Sequence, residues 1–144
     1  MIAWLTCVVA VDCLHRRVPN GLVLVGGIVA SIALLLDKQP LGAEWSDALV
    51  ASSLGFTTFL LFYCLGLMGA ADVKFAAALG LWIGAWPLLW VWAGASVLAA
   101  LHALVLIAWR RHTGLPRTRK REIPYAAHMA VMTMGWLIWR HQMS

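Results

Sequence analysis

Residues 87–109 read PLLWVWAGASVLAALHALVLIAW, twenty-three positions from Pro87 to Trp109 without one Asp, Glu, Lys or Arg. A hydrocarbon core about 30 Å thick takes about 20 apolar residues per crossing helix, so this stretch is long enough to span a bilayer. The rest of the chain reads the same way. Of 144 residues, 62% are hydrophobic and 12% charged, where a soluble domain carries about 25% charged residues. So small a soluble fold does not cover its surface with so few charges. A globular enzyme in water, a disordered chain and a disulfide-built secreted module do not fit this composition. An integral membrane protein does.

Working outward from that stretch gives an all-α, polytopic chain of six transmembrane helices: Met1 to Leu14, Pro19 to Leu36, Ser46 to Leu67, Asp72 to Gly84, Pro87 to Trp109 and Tyr125 to Trp139. Pro19-Asn20, Ser46-Asp47, Pro87 and Pro124 stand where a helix start wants a cap acceptor or a fixed φ. The first and fourth spans are short. Either the first helix continues through Asp12 toward Arg16, or the natural chain begins upstream of Met1. The N-terminus has no basic region and no A-x-A-type site, so it does not read as a removable signal peptide. One transmembrane domain over 1–144 leaves no room for a second.

Basic residues fix the orientation, because cytoplasmic loops hold the excess of Lys and Arg. With the first loop inside, nine lie on the inner side (Arg16, Arg17, Lys74, Arg110, Arg111, Arg117, Arg119, Lys120, Arg121) and two, Lys38 and Arg140, outside. Both termini then face out. The net charge of +5 is accounted for by this topology and by attraction to anionic membrane lipid, and nucleic acid is not expected as a partner. The tryptophans give the same picture, with Trp4, Trp45, Trp82, Trp86, Trp90, Trp92, Trp136 and Trp139 toward the outer face and Trp109 at the inner end of its span. Cys7, Cys13 and Cys64 form no C-x-x-C pair, so neither a zinc framework nor a disulfide scaffold is expected.

Among the acids, Asp37, Glu44 and Asp47 read as solvated charge in an outer loop, and Glu122 lies among basic residues. Asp12 and Asp72 sit at the inner edges of apolar spans, where an ionisable residue is costly and points to function. The structural alternative is ion pairing with Arg16 or Lys74. The first span descends to Asp12 and the fourth begins at Asp72, which places both acids at one membrane level. Two such carboxylates can work as general acid and general base on water, the requirement for peptide hydrolysis without a metal or a nucleophile. The helix dipole would make Asp72, at a helix N-terminus, the base, and Asp12, near a helix C-terminus, the acid.

The segments around these acids carry a resemblance. Asp12-Cys13-Leu14-His15-Arg16-Arg17-Val18-Pro19-Asn20 resembles the D-x-x-x-x-R-[IV]-P-N segment of type IV prepilin peptidases. Gly69-Ala70-Ala71-Asp72-Val73-Lys74, continued by Ala76-Ala77-Ala78-Leu79-Gly80, resembles their G-x-G-D-x-K segment. Ile123-Pro124-Tyr125-Ala126 resembles the I-P-[YF]-G segment that opens their last helix. The resemblance implies a membrane aspartic endopeptidase with Asp12 and Asp72 catalytic, supported by the motif residues Arg17, Pro19, Asn20, Gly69, Ala71 and Lys74. It implies cleavage of prepilin or pseudopilin leaders at the cytoplasmic face of the bacterial inner membrane, in a pilus assembly or secretion machinery. No metal or other cofactor is expected.

Larger members add a cysteine-rich cytoplasmic domain and N-methylate the new terminus. This chain is similar to the short, peptidase-only form of tight-adherence (Flp-type) pili, without methyltransferase activity. It departs from the pattern at Ala71 and Ala126, where the family has glycine. Glycine permits positive φ and close backbone approach, so Ala71 bears on catalytic efficiency.

Lys74 has two readings: a snorkelling inner-edge lysine, or one that tunes the acids or meets the glutamate that family substrates carry after the cleavage site. His102 and His128 read as lone packing histidines with no ligand set around them. Two other functions fit the same residues. A small proton-coupled transporter would use Asp12, Asp72 and Lys74 as intramembrane charges, but paired repeats and broken helices are not found. A non-catalytic assembly subunit could keep the fold, yet both aspartates remain.

Overall fold

The computed structural model describes residues 1–15, 17–114 and 123–143. These form six α-helices and no strand: α1 (Ile2–His15), α2 (Asn20–Leu35), α3 (Trp45–Cys64), α4 (Ala70–Ile83), α5 (Ala85–Thr113) and α6 (Tyr125–Met143). Arg16, expected as a possible partner of Asp12, lies outside the described residues, as do Arg117, Arg119, Lys120, Arg121 and Glu122.

The helices α3 and α5 are long and apolar enough to cross a membrane, while α1 and α2 are apolar but shorter. In the most apolar windows of α3 and α5 only 22% and 17% of residues are buried. The core helix of a soluble protein hides its apolar side chains. Here Leu54, Leu61, Leu89, Val97, Leu101 and Val105 are exposed, which suits lipid as the surrounding solvent.

Contacts between named residues fix the relative directions of α2, α3 and α4. Gly80 on α4 meets Ala51 and Ser52 on α3, and Gly55 meets Ala76, so α3 and α4 run antiparallel. A Cβ at Gly80 would sit 2.7 Å from the α3 backbone, so glycine is what allows this close approach. On α2 and α4, Asn20 pairs with Lys74 and Gly26 with Trp82, so these two run in the same direction. The helix α6 lies against α1 and α5. At one end of the bundle Gln39 donates to the Leu81 carbonyl at 2.8 Å, and Arg140 to the Leu41 carbonyl at 2.9 Å. The other end gathers the ends of α1 and α3 and the beginnings of α2, α4 and α6.

Observed boundaries differ from the expected spans for local reasons. The first helix does continue past Asp12, to His15. Pro19 lies just before α2 with φ −60° and ψ 138°, the extended conformation a cap position takes. Asp47 is exposed, as expected of a solvated acid, but it stands on a helix and not in a loop. It sits in the first turn of α3, and its carboxylate accepts the Ala85 N–H at 3.2 Å, capping the start of α5 from a neighbouring helix. Between α4 and α5 there is a single residue, Gly84, at φ 77°. A Cβ there would also collide with the Asp47 carboxylate, so conformation and space both require glycine.

Two tryptophans expected in an interfacial belt serve inside the bundle. The indole N–H of Trp4 donates to the Leu22 carbonyl at 2.8 Å, and that of Trp82 to the Gly26 carbonyl at 3.0 Å. These carbonyls lie one helical turn apart, so α2 is fastened to α1 and to α4 along one stripe.

Candidate active site

Asp12 lies on α1 and is 5% exposed. Its Oδ2 accepts the backbone N–H of Ala127 at 2.9 Å. Ala127 is the third residue of α6, so its N–H is one of those that a helix start leaves without an intrahelical partner. Asp12 therefore caps α6 from another helix. The dipole argument that would make Asp12 the acid does not hold here, because its carboxylate meets a helix N-terminus.

Asp72 is the third residue of α4. Its Oδ2 accepts the Gly69 N–H at 2.9 Å, and its own N–H donates to the Gly69 carbonyl at 3.1 Å. The exchange closes the first turn of α4 and turns the carboxylate back over the helix start. It borders a cavity of about 440 Å³ lined also by Leu67, Met68, Ala99, Ala100, Ala103, Ile123 and Tyr125. The three alanines form one face of α5 and leave this space open.

The first turn of α6 connects the acids. Ala127 holds Asp12, and Tyr125, two positions earlier, borders the Asp72 cavity. Ser96 Oγ donates to the Trp92 carbonyl at 2.9 Å, so it accepts from the Tyr125 hydroxyl at 2.8 Å. Both acids thus lie at one end of the bundle, as the reading direction of the spans predicts. That α6 is the element between them was not predicted. The small pair Ala126-Ala127, both buried, is the sequence feature that lets α1 approach this turn.

The remaining motif residues have structural places. Lys74 Nζ donates to Asn20 Oδ1 at 3.0 Å, joining the first two motifs. Lys74 follows Asp72 by two residues, and side chains at that spacing leave a helix on different faces. Lys74 and Asn20 line a groove of about 680 Å³ along α2 and α4, which does not include Asp72. This geometry does not place Lys74 beside the acid pair. Arg17 is exposed, and Gly69 precedes α4 in extended backbone, φ −88° and ψ 149°. Ala71 is the second residue of α4 and has no positive φ, so the departure from glycine falls where alanine is at home.

Among the described residues, no group of three or more His, Cys, Asp or Glu side chains gathers as a metal site. His102 and His128 are not lone residues. His102 Nδ1 lies 3.3 Å from His128 Nε2.

A family model described as the type IV leader peptidase family matches residues 1–104. The match contains both aspartates and ends before α6. No curated protein matches the chain, and no solved structure does.

Proposed function

Because the chain belongs to the type IV leader peptidase family, a family of membrane-associated peptidases, we propose that it is an aspartic endopeptidase removing the leader from prepilins or pseudopilins. The observation that carries this reading is the convergence of Asp12 and Asp72 on the first turn of α6, at one end of the bundle. In this reading one carboxylate takes a proton from water while the other gives one to the leaving amine. With both acids beside backbone N–H donors at helix starts, neither has a dipole-based claim to one role.

The excess of Lys and Arg supports six crossings with both termini outside and the acids facing the cytoplasm of a bacterial inner membrane. Residues 1–144 act as one peptidase unit, serving pilus assembly or secretion. Alanine at position 71 is tolerated, since the helix needs no glycine there.

The test is a cleavage assay in membranes, with the chain co-expressed with a prepilin from its own genome. Wild type shortens the substrate, and Asp12→Asn and Asp72→Asn each abolish this at unchanged protein level. A folded wild type that leaves several such substrates intact would remove the peptidase reading.

A further inference from the structure

His128 immediately follows Ala127, the residue whose N–H holds Asp12. Its Nδ1 lies 2.6 Å from the Pro124 carbonyl oxygen. A carbonyl only accepts, so this nitrogen carries the hydrogen. In the neutral ring Nε2 is then an acceptor, and the group facing it, His102 Nδ1 at 3.3 Å, is the donor. Both rings carry their hydrogen on Nδ1.

The Pro124 carbonyl also accepts the backbone N–H of His128, at 3.2 Å. The His128 ring therefore fastens the first turn of α6 to the carbonyl that opens it, and His102 fastens that ring to α5. On the other side of the same turn stands the Asp12 carboxylate, held by the N–H of Ala127, the residue next to His128.

We infer that His102 and His128 are positioning residues: their hydrogen-bonded pair fixes the first turn of α6 and through it the direction of the Asp12 carboxylate. The chain of contacts runs from α5 through His102, His128 and the Pro124–Ala127 turn to Asp12 on α1. The sequence gives no sign of it, since the histidines stand 26 residues apart in spans that look uniformly apolar. The catalytic consequence rests on the peptidase reading; the effect on Asp12 does not.

The test uses the full chain in lipid bilayers with a prepilin substrate. Leucine at either position removes the pair. His102→Asn keeps an N–H donor near the position of Nδ1 and should restore the contact. His102→Leu and His128→Leu are expected to lower kcat about tenfold or more with KM little changed, the result of a misdirected catalytic group. His102→Asn should recover most of that loss. A second readout needs no activity: the ¹³C carboxyl signal of Asp12, assigned by its loss in Asp12→Asn. It should move in His102→Leu and return in His102→Asn. A folded His102→Leu with wild-type kcat and an unmoved Asp12 signal would overturn the inference. A wild type that cleaves nothing, with the Asp12 signal still responding to His102, would count against the peptidase reading and for the positioning role.

Discussion

The carboxylate of Asp12 and the backbone N–H of Ala127, 115 residues apart in the chain, meet at 2.9 Å. One of the two candidate catalytic acids is thereby also the cap of the last helix. Its chemistry and its structural duty are separable by substitution. Asp12→Asn keeps a carbonyl oxygen for Ala127 and should fold like wild type while losing cleavage. Asp12→Leu leaves that buried N–H without an acceptor, at a cost of about 1–3 kcal/mol. Cleavage assays beside unfolding in detergent separate the two, and equal unfolding midpoints for both variants would contradict the capping role.

Ala71 occupies a helical position in α4. Restoring the family glycine should bring little: Ala71→Gly is expected to change the cleavage rate by less than about twofold and, in the first turn of α4, to destabilise by no more than the roughly 0.5–1 kcal/mol that glycine costs in a helix interior. A large gain in rate would mean that the methyl group obstructs the site.

The Lys74–Asn20 bond is exposed and belongs to a groove that does not include Asp72. Lys74→Met and Asn20→Leu should each cost no more than about 1 kcal/mol of stability. Both should retain cleavage of a substrate supplied in excess. If Lys74→Met abolished cleavage in a folded chain, the lysine would be acting on the acids or the substrate despite its face of α4.

Gly84 and Asp47 form a second separable unit at the opposite end of the bundle. Gly84→Ala places a side chain at positive φ and against the Asp47 carboxylate, and should destabilise by about 1–3 kcal/mol. Asp47→Ala alone removes the cap of α5, a loss of about 1 kcal/mol. In the double variant the collision is gone, so the combined loss should be smaller than the sum. Strict additivity of the measured unfolding free energies would argue that the two residues do not touch.

Helix positions were legible in the sequence because apolar runs bounded by Pro, Gly and charge leave few alternatives. The common end of Asp12 and Asp72 followed from counting reversals of direction. Faces were not legible. A soluble helix reveals its buried face by an apolar stripe, but in lipid the outer face is as apolar as the inner one. Hence the pairing of His102 with His128, of Asn20 with Lys74 and of Trp82 with Gly26 left no trace in periodicity. The capping bond of Asp47 is hidden for a related reason: an exposed acid that caps a neighbouring helix and one that does not look alike until that helix is placed beside it.

The lengths of α4 and α5 have a consequence for hydration. The 14 residues of α4 make about 21 Å of helix and the 29 of α5 about 43 Å. Of the two, α4 is the enclosed one, with Val73, Phe75, Ala76, Leu79, Gly80 and Trp82 buried. Ala99, Ala100 and Ala103 stand across the cavity from Asp72, so α5 runs on beyond that level toward Thr113. At this end α2, α4 and α6 begin and α1 and α3 finish, while α5 projects past them, so Asp72 lies near the rim of the bundle beside one overhanging helix. Bulk water can reach such a rim without crossing hydrocarbon. A peptide drawn to it can unwind there at little expense, whereas in lipid each bared N–H and C=O would cost several kcal/mol.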